Sequence, residues 1–253
     1  MGHEACGMPV KLGAKVDKHQ IHLGKLYSAL NLNGCTHGLN GASALLNSFG
    51  IGNDGSYAEY YITTFDLLVP VPEGVPPAVA AIASDTGVTA YHAVHHAAQV
   101  KPGDKVLIYG VGGVGNLAVQ YAKHFGATVY IELNKRLAAG FTVNTTIDFV
   151  ATNQTFTTAM AAVARNAVDF PVSPRVVLVG ISAENLVFTT LAILSSEADS
   201  YGPRSALVAA LDLFAKGTVR AHVSEHPVEN VNEIIEELRA SDVLGRKVVV
   251  ARM

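Results

Sequence analysis

Apolar runs and helical spacing alternate along the middle of the chain. The run "KVLIYG" at 105–110 is almost continuously apolar, which is typical of a strand buried inside a parallel sheet. The segment "NLAVQYAKHFGA" at 116–127 repeats its apolar residues at helical spacing, and "TVYI" at 128–131 predicts another strand. Further along, the pattern predicts a buried strand at 174–181, amphipathic helices at 204–217 and 228–241, and a closing strand at 246–251. This alternation favours an α/β fold with a parallel sheet.

The first third of the chain differs in composition. Residues 1–76 are rich in Gly, His and Asn and contain strand-like runs such as "AEYYITTFDLLVPVP" at 58–72. The turn "EGVPP" ends this region, and from Ala78 the apolar residues recur at helical spacing with a break near Asp85. The sequence therefore predicts a β-rich domain into which the parallel-sheet domain is inserted.

A glycine turn joins the first buried strand to the helix that follows it. Gly110, Gly112 and Gly115 form the pattern G-x-G-x-x-G, and Gly113 and Val114 complete the loop at the predicted helix start. The first glycine permits a tight turn, the second lets the backbone approach a pyrophosphate, and the third lets the helix pack against the strand. The helix N-terminus offers free N–H groups to phosphates. A glycine turn that serves packing alone is the alternative, but the strand–turn–helix context favours dinucleotide binding.

Composition and charge narrow the classes of protein. The chain has 253 residues, is 49% hydrophobic and 15% charged, and carries a net charge of -3. These values are typical of a compact α/β protein and argue against a nucleic-acid or anionic-membrane surface. With two cysteines, no signal-peptide pattern and no run long enough to span a membrane, the sequence predicts a cytoplasmic protein.

Several motifs together resemble the zinc-type medium-chain alcohol dehydrogenases. They occur in the order found in that family and extend over nearly the whole chain: "GHE" at 2–4, "DGSYAEYYI" at 54–62, "LLVPVPEGV" at 67–75, "DTGVTAYHA" at 85–93, "VKPGDKVLIYGVGGVGNLAVQYAKHFGA" at 100–127, "TTIDFVATNQTF" at 145–156, "RVVLVGI" at 175–181 and "LGRKVVV" at 244–250. The resemblance implies an α/β protein in which a Rossmann-type parallel-sheet domain is inserted in a β-rich GroES-like domain. We expect a partial catalytic domain at 1–85, a shortened cofactor domain at 86–217 and a return to the catalytic domain at 218–253.

The resemblance also implies a reaction and the residues that perform it. Such enzymes transfer a hydride between a small alcohol and its aldehyde or ketone with NAD or NADP, while Zn²⁺ polarises the substrate oxygen. His3, Glu4 and Asp85 match the catalytic and zinc-binding positions, Thr89 matches a nicotinamide contact, and Arg246 matches a residue near the cofactor phosphates. Family members are homo-oligomers, which makes a homo-oligomer the starting expectation here.

Other histidines and cysteines attract attention as metal ligands. His92 and His96 have the i, i+4 spacing of helical ligands, with His95 beside them, but the family pattern favours solvated or packed histidines there. Cys35 and His37 lie in "NGCTHG", yet the family's structural zinc needs four cysteines, so we expect no second zinc site. Cys6 is expected to pack in the core rather than bind metal.

The sequence also departs from the family pattern. It begins at the G-H-E motif, without the upstream segment that holds a first zinc ligand in the family, and an internal deletion is predicted between Tyr130 and Ile131. Leu133 and Asn134 stand near the place of the acidic ribose ligand expected ~20 residues after the turn, with Glu132 nearby, so NAD and NADP are not distinguished. At 194–207 a polar link replaces an expected strand.

These departures leave alternatives to an active zinc dehydrogenase open, and they also put the family's oligomeric interface in question. One alternative is a truncated, non-catalytic fragment or pseudoenzyme with residual nucleotide binding. Another is a zinc-free, quinone-reductase-like enzyme of the same superfamily, which the matches at His3, Glu4 and Asp85 disfavour.

Overall fold

The chain forms two compact units in a computed structural model. The model describes residues 1–17, 19–31, 48–131, 142–164, 175–181, 196–198, 202–240 and 243–251. The first unit comprises Met1–Val88 and Gly202–Met253, and the second comprises Thr89–Tyr201. The second unit is therefore inserted in the chain of the first, as the sequence pattern predicts.

The described residues contain the following strands and helices. The strands are β1 (Ala5–Gly7), β2 (Tyr27–Ala29), β3 (Leu68–Pro70), β4 (Lys105–Tyr109), β5 (Thr128–Ile131), β6 (Thr145–Asp148), β7 (Arg175–Leu178), β8 (Ser196–Ala198), β9 (Val223–Pro227) and β10 (Arg246–Val250). The α-helices are α1 (Pro77–Ile82), α2 (Val88–His92), α3 (Gly113–His124), α4 (Asn153–Ala164), α5 (Arg204–Ala215) and α6 (Val231–Arg239). Two π-helical turns, Ala83–Gly87 and Ala93–Ala97, follow α1 and α2, and 3-10 turns form at Phe65–Leu67 and Val228–Asn230.

Short strands and helices build the first unit. β1, β2 and β3 form an antiparallel sheet in that order, and β9 pairs with β10 in parallel. The helix α1 packs against β1 and β2, and α5 packs against the first π-helical turn and β3. The Ser28 hydroxyl, on buried β2, donates a hydrogen bond to the carbonyl of Ala80 in α1 at 2.7 Å. This bond satisfies a buried polar group and fixes the helix on the sheet.

A five-stranded parallel sheet forms the second unit. Its order is β5-β4-β6-β7-β8, with α3 packed on β4 and β5 and α4 packed on β6 and β7. The central side chains Leu107, Ile147 and Val176 are fully buried, which explains the almost continuous apolar runs in the sequence. The chain passes from β4 to β5 on one side and then to β6 on the other. The strand order thus reverses between β4 and β6, where open α/β sheets bind ligands.

Three local expectations come out differently in the structure. Residues 58–64, expected as a strand, form none because they pair with no strand in the described part of the chain, and Ile62 is 94% exposed. The polar link expected at 194–207 contains the short strand β8, which pairs with β7. Backbone N–H and C=O groups form this pairing, so it does not require apolar side chains. The break expected near Asp85 is a π-helical turn inside a continuous helical segment.

The helix α5 lies in the first unit, whereas the sequence pattern placed it within a cofactor domain at 86–217. The functional domain boundaries at 85 and 217 stay a prediction. Among the described helices, none has the length and apolar character needed to cross a membrane.

Candidate active site

Two glycines of the turn after β4 are required by packing. Gly110 has a φ of +79°, and a Cβ placed there would lie 2.7 Å from Cγ2 of Val150. A Cβ on Gly115 would lie 1.8 Å from the carbonyl oxygen of Gly110, where no side chain fits. The helix α3 therefore begins directly against the end of β4, and any other residue at Gly115 forces the two elements apart.

Gly112, the second glycine of the pattern, is open to ligands. A Cβ on Gly112 would meet no described atom within 4 Å, and the backbone there has an ordinary φ of -76°. Gly112 is the N-cap of α3, and no side chain in the described residues caps this helix. The first N–H groups of the helix, at Gly113, Val114 and Gly115, have no intrahelical acceptor. This open, uncapped N-terminus fits the pyrophosphate of a dinucleotide.

A buried aspartate shapes the loop beside this turn. Asp148 ends β6 and is fully buried, and its Oδ1 accepts hydrogen bonds from the N–H groups of Val150 (2.8 Å) and Ala151 (2.9 Å). Its Oδ2 has no hydrogen-bond partner among the described residues. Asp148 thus fixes the loop that Gly110 contacts at the reversal of strand order. Its signal in the sequence is a single acidic residue within the otherwise uncharged run "TTIDFV".

In the first unit, His3 and Asp85 come together across 82 positions of sequence. Nε2 of His3 lies 3.1 Å from Oδ2 of Asp85, and the two side chains are 41% and 24% exposed. The hydrogen bond to Asp85 outweighs the effect of burial and raises the pKa of His3 above its ordinary value. Asp85 reaches this place from the π-helical turn, whose neighbouring Ser84 hydroxyl accepts a hydrogen bond from the N–H of Ala5 at 3.2 Å. The turn is thereby tied to the strand that follows His3.

Glu4 forms an ion pair with Arg246. Oε2 of Glu4 pairs with the guanidinium of Arg246, and Oε1 accepts a hydrogen bond from the N–H of Thr86 at 2.9 Å. The side chains of Glu4 and Arg246 are 16% and 33% exposed. Burial alone would lower the pKa of Arg246, but the Glu4 carboxylate outweighs it and raises the pKa. Each oxygen of Glu4 therefore has a partner within the protein.

The donors at this place do not complete a zinc site. Structural zinc sites use four protein ligands, and catalytic zinc sites use three and leave the fourth position for water or substrate. Within the described ranges, no group of three or more His, Cys, Asp or Glu side chains is arranged to hold a metal ion. His3 and Asp85 meet as two donors, whereas Glu4 is held by Arg246 and Thr86.

Within the described residues, the other sulfur and imidazole candidates do not complete a metal site with His3 and Asp85. Cys6 is largely enclosed, and burial raises its pKa to about 12, so it remains a thiol at neutral pH. Cys35 and His37 lie outside the described residues. His92 and His95 pack against His96 with ring centroids 5.0 Å and 4.8 Å away, and the ring of His95 also stacks on Phe125 at 4.9 Å.

Thr89 lies in α2 at the start of the second unit and is 9% exposed. A cavity of about 1710 Å³ opens in the first unit beside His3, Glu4 and Arg246. Its volume exceeds the roughly 300–1,000 Å³ of ordinary small-molecule pockets, so it does not by itself define a substrate pocket.

Comparison with known proteins identifies the family. No protein-family model matches the chain. An alcohol dehydrogenase of Geobacillus stearothermophilus is 31% identical over 98% of this chain and 82% of its own length, and one of Moraxella sp. (strain TAE123) is 29% identical over 98% and 81%. The chain belongs to the zinc-type medium-chain alcohol dehydrogenase family. The stretch matched in the Geobacillus protein covers 278 residues, more than this whole chain has, so that relative contains internal segments that are missing here.

Solved structures confirm the predicted fold class, a Rossmann-type sheet inserted in a GroES-like domain. The alcohol dehydrogenase of the archaeon Aeropyrum pernix superimposes with a TM-score of 0.80 at 24% identity, covering 98% of this chain and 81% of its own. The acetophenone reductase of Geotrichum candidum NBRC 4597, solved in complex with NAD, superimposes with a TM-score of 0.80 at 26% identity, covering 98% and 80%.

Proposed function

We propose that this protein is an NAD(P)-dependent oxidoreductase that transfers a hydride between a small alcohol and the corresponding aldehyde or ketone. Membership of the alcohol dehydrogenase family supports the reaction class. The observation that carries the proposal is the glycine turn at the reversal of strand order, with an uncapped helix N-terminus and an open face at Gly112.

The chain's part in this reaction begins with holding the cofactor. The N–H groups at the start of α3 and the positive end of the helix dipole bind the pyrophosphate, and Gly112 lets it approach the backbone. When bound, the nicotinamide would supply the hydride acceptor for oxidation of an alcohol and the hydride donor for reduction of the carbonyl compound. We assign Thr89 to the nicotinamide and Arg246 to the phosphates. A guanidinium has five N–H donors, so its pairing with Glu4 leaves others for a phosphate.

For zinc, the proposal names only the residues that would bind it. His3 and Asp85 supply an imidazole nitrogen and a carboxylate oxygen, both of which Zn²⁺ binds, and Glu4 is the nearby acid. Because the described donor set stops at two, the proposal assigns no step of the reaction to the metal. The family resemblance also supports a homo-oligomer, and the low cysteine content supports a cytoplasmic location.

Cofactor binding by the purified chain tests the proposal directly. NADH and NADPH are titrated by their fluorescence against the wild type and against Gly112→Glu, which places a carboxylate where the pyrophosphate would bind. The variant adds no clash, so it should fold but bind the preferred cofactor about 10-fold or more weakly. The matched control is Gly13→Glu in the first unit, where a side chain is also accommodated, and it should bind like the wild type. Equal binding by wild type and Gly112→Glu, or none by the wild type, would contradict the proposal.

A further inference from the structure

The hydroxyl of Ser56 bonds to the backbone on both sides of His3. Ser56 Oγ donates toward the carbonyl oxygens of Gly2 (3.1 Å) and Glu4 (3.2 Å), so its one hydroxyl hydrogen is shared between two acceptors. The N–H of Ser56 also donates to the carbonyl of Gly2, at 2.9 Å. A single residue therefore holds both of the peptide units that flank His3.

Two glycines allow the loop that carries Ser56 to come this close. A Cβ on Gly50 would lie 2.0 Å from the carbonyl oxygen of Gly2, and a Cβ on Gly55 would lie 2.1 Å from that of Met1. Gly50 also has a φ of +76°, a backbone conformation that favours glycine. The loop lies directly against the start of the chain because neither position carries a side chain.

Ser84 holds the same stretch of backbone from the side of the π-helical turn. Its buried hydroxyl accepts a hydrogen bond from the N–H of Ala5 at 3.2 Å, and it directly precedes Asp85 in the chain. The backbone around His3 is thus tied to the loop by one serine and to the turn by another. The His3 side chain is 41% exposed, so its direction depends strongly on the backbone that carries it.

We infer that Ser56 is a positioning residue of the candidate active site: by holding the peptide units on both sides of His3, its hydroxyl directs the imidazole toward Asp85. Nε2 of His3 and Oδ2 of Asp85 lie 3.1 Å apart, and a hydrogen bond weakens steeply when its angle departs from the preferred range. A small rotation of the backbone at His3 is therefore enough to weaken the pair. The inference rests on the proposed function only in assigning His3 to the active site.

The NMR signals of the His3 ring, recorded on the full chain at one fixed pH, test this inference without a substrate. His3→Gln assigns the signals by their loss, and Asp85→Asn shows where they lie once the carboxylate is gone. Ser56→Ala should move the His3 signals roughly half or more of the way toward their positions in Asp85→Asn, because the backbone no longer aligns the pair.

Two matched variants separate positioning from the general effect of a substitution. Ser56→Thr keeps the hydroxyl donor and should keep the His3 signals near their wild-type positions. Ser224→Ala removes a serine hydroxyl from β9 of the same unit, where it bonds to Nε2 of His226 at 2.9 Å. It should move the His226 signals and leave those of His3 in place.

Unmoved His3 signals in Ser56→Ala would overturn the inference, as would signals that move equally in Ser56→Thr. If circular dichroism shows Ser56→Ala unfolded, Ser56→Cys decides, because a thiol has a similar size but is a much weaker donor. Displaced His3 signals in that variant support the inference, and wild-type signals overturn it.

Alcohol oxidation with NAD or NADP gives a second measurement. Ser56→Ala should lower kcat about 10-fold and leave KM for the alcohol within about 2-fold of the wild type, because a misaligned group affects the chemical step more than binding. An unchanged kcat would overturn the inference. A wild type without turnover would contradict the proposed function alone, since the NMR comparison still decides the role of Ser56.

Discussion

At the scale of single residues, the glycine turn contains glycines of two kinds. Gly115 has no room for a side chain, because its Cβ would lie 1.8 Å from a backbone oxygen, whereas Gly112 faces open space. The first is therefore a requirement of the fold and the second a requirement of ligand approach. Stability and cofactor binding should consequently respond differently to the same substitution at the two positions.

Alanine at each position separates these roles. Gly115→Ala should lower the free energy of unfolding by about 1–3 kcal/mol, because the strand end and the helix start must move apart. Gly112→Ala should change it by less than about 1 kcal/mol, since nothing is displaced and the backbone is ordinary. Urea denaturation measures both. Equal losses in the two variants would show that the close approach of α3 to β4 is not what restricts Gly115.

Tyr121 gives a pH-dependent prediction. It is fully buried in α3 with its ring edge against Tyr91 at 5.5 Å, and burial raises the pKa of its hydroxyl. The folded protein therefore keeps this proton above pH ~10, whereas the unfolded chain releases it near pH ~10. The free energy of unfolding should fall as the pH rises through this range, by about 1.4 kcal/mol per pH unit for this group. Tyr121→Phe should lack that part of the decline.

Urea denaturation from about pH 9 to about pH 11 measures the effect, because this range brackets the ordinary tyrosine pKa of about 10. Tyr60→Phe is the control for removing a tyrosine hydroxyl from the surface, because Tyr60 is 61% exposed. A Tyr121→Phe profile parallel to the wild type would show that Tyr121 ionises in the folded state.

At the scale of elements, the sequence pattern predicted the strands and helices that are defined by burial of one face. The strand β4 and the helix α3 appear almost where the apolar run and the helical spacing placed them, because burial of one face defines each of them. The run at 58–64 looked equally strand-like, yet a strand also needs a neighbour, and the sequence does not show which segments pair. The short strand β8 is the opposite case. Its polar sequence did not predict a strand, but β7 is a neighbour with which it pairs.

The candidate site divides in the same way. The glycine turn is contiguous in sequence, so its pattern was enough to locate it. The ion pair between Glu4 and Arg246 joins residues 242 positions apart, and no periodicity reports such a contact. Asp148 is visible in the sequence as the one acidic residue of "TTIDFV", but its role depends on the backbone N–H groups of the loop that follows.

The loop after β6, which Asp148 holds through the N–H groups of Val150 and Ala151, leads to a prediction. Asp148→Ala should lower the free energy of unfolding by about 2–4 kcal/mol, because two N–H groups lose a charged acceptor. Asp148→Asn keeps an acceptor oxygen and should lose roughly half as much. Because Gly110 contacts this loop at Val150, Asp148→Ala should also weaken NADH binding, whereas a loss of stability with unchanged binding would uncouple the loop from the turn.

At the scale of the whole molecule, the chain is a shortened member of its family that keeps both units. It covers 82% of the length of the Geobacillus relative and lacks internal segments of that protein, yet its parallel sheet still reverses strand order beside the glycine turn. In the first unit the beginning and the end of the chain meet at one place, where Glu4 pairs with Arg246. The stability of that unit should therefore depend on a contact between its two distant segments.

Charge removal at this contact tests that dependence. Arg246→Met keeps the length and apolar volume of the side chain but leaves the Glu4 carboxylate largely buried without its cation, so the free energy of unfolding should fall by roughly 3 kcal/mol. Adding Glu4→Gln should recover most of the loss, because the amide is neutral and its oxygen still accepts from the N–H of Thr86. Thermal and urea denaturation of the wild type, the two single variants and the double variant measure the coupling. A double variant no more stable than Arg246→Met would show that the guanidinium stabilises the unit by packing rather than by neutralising Glu4.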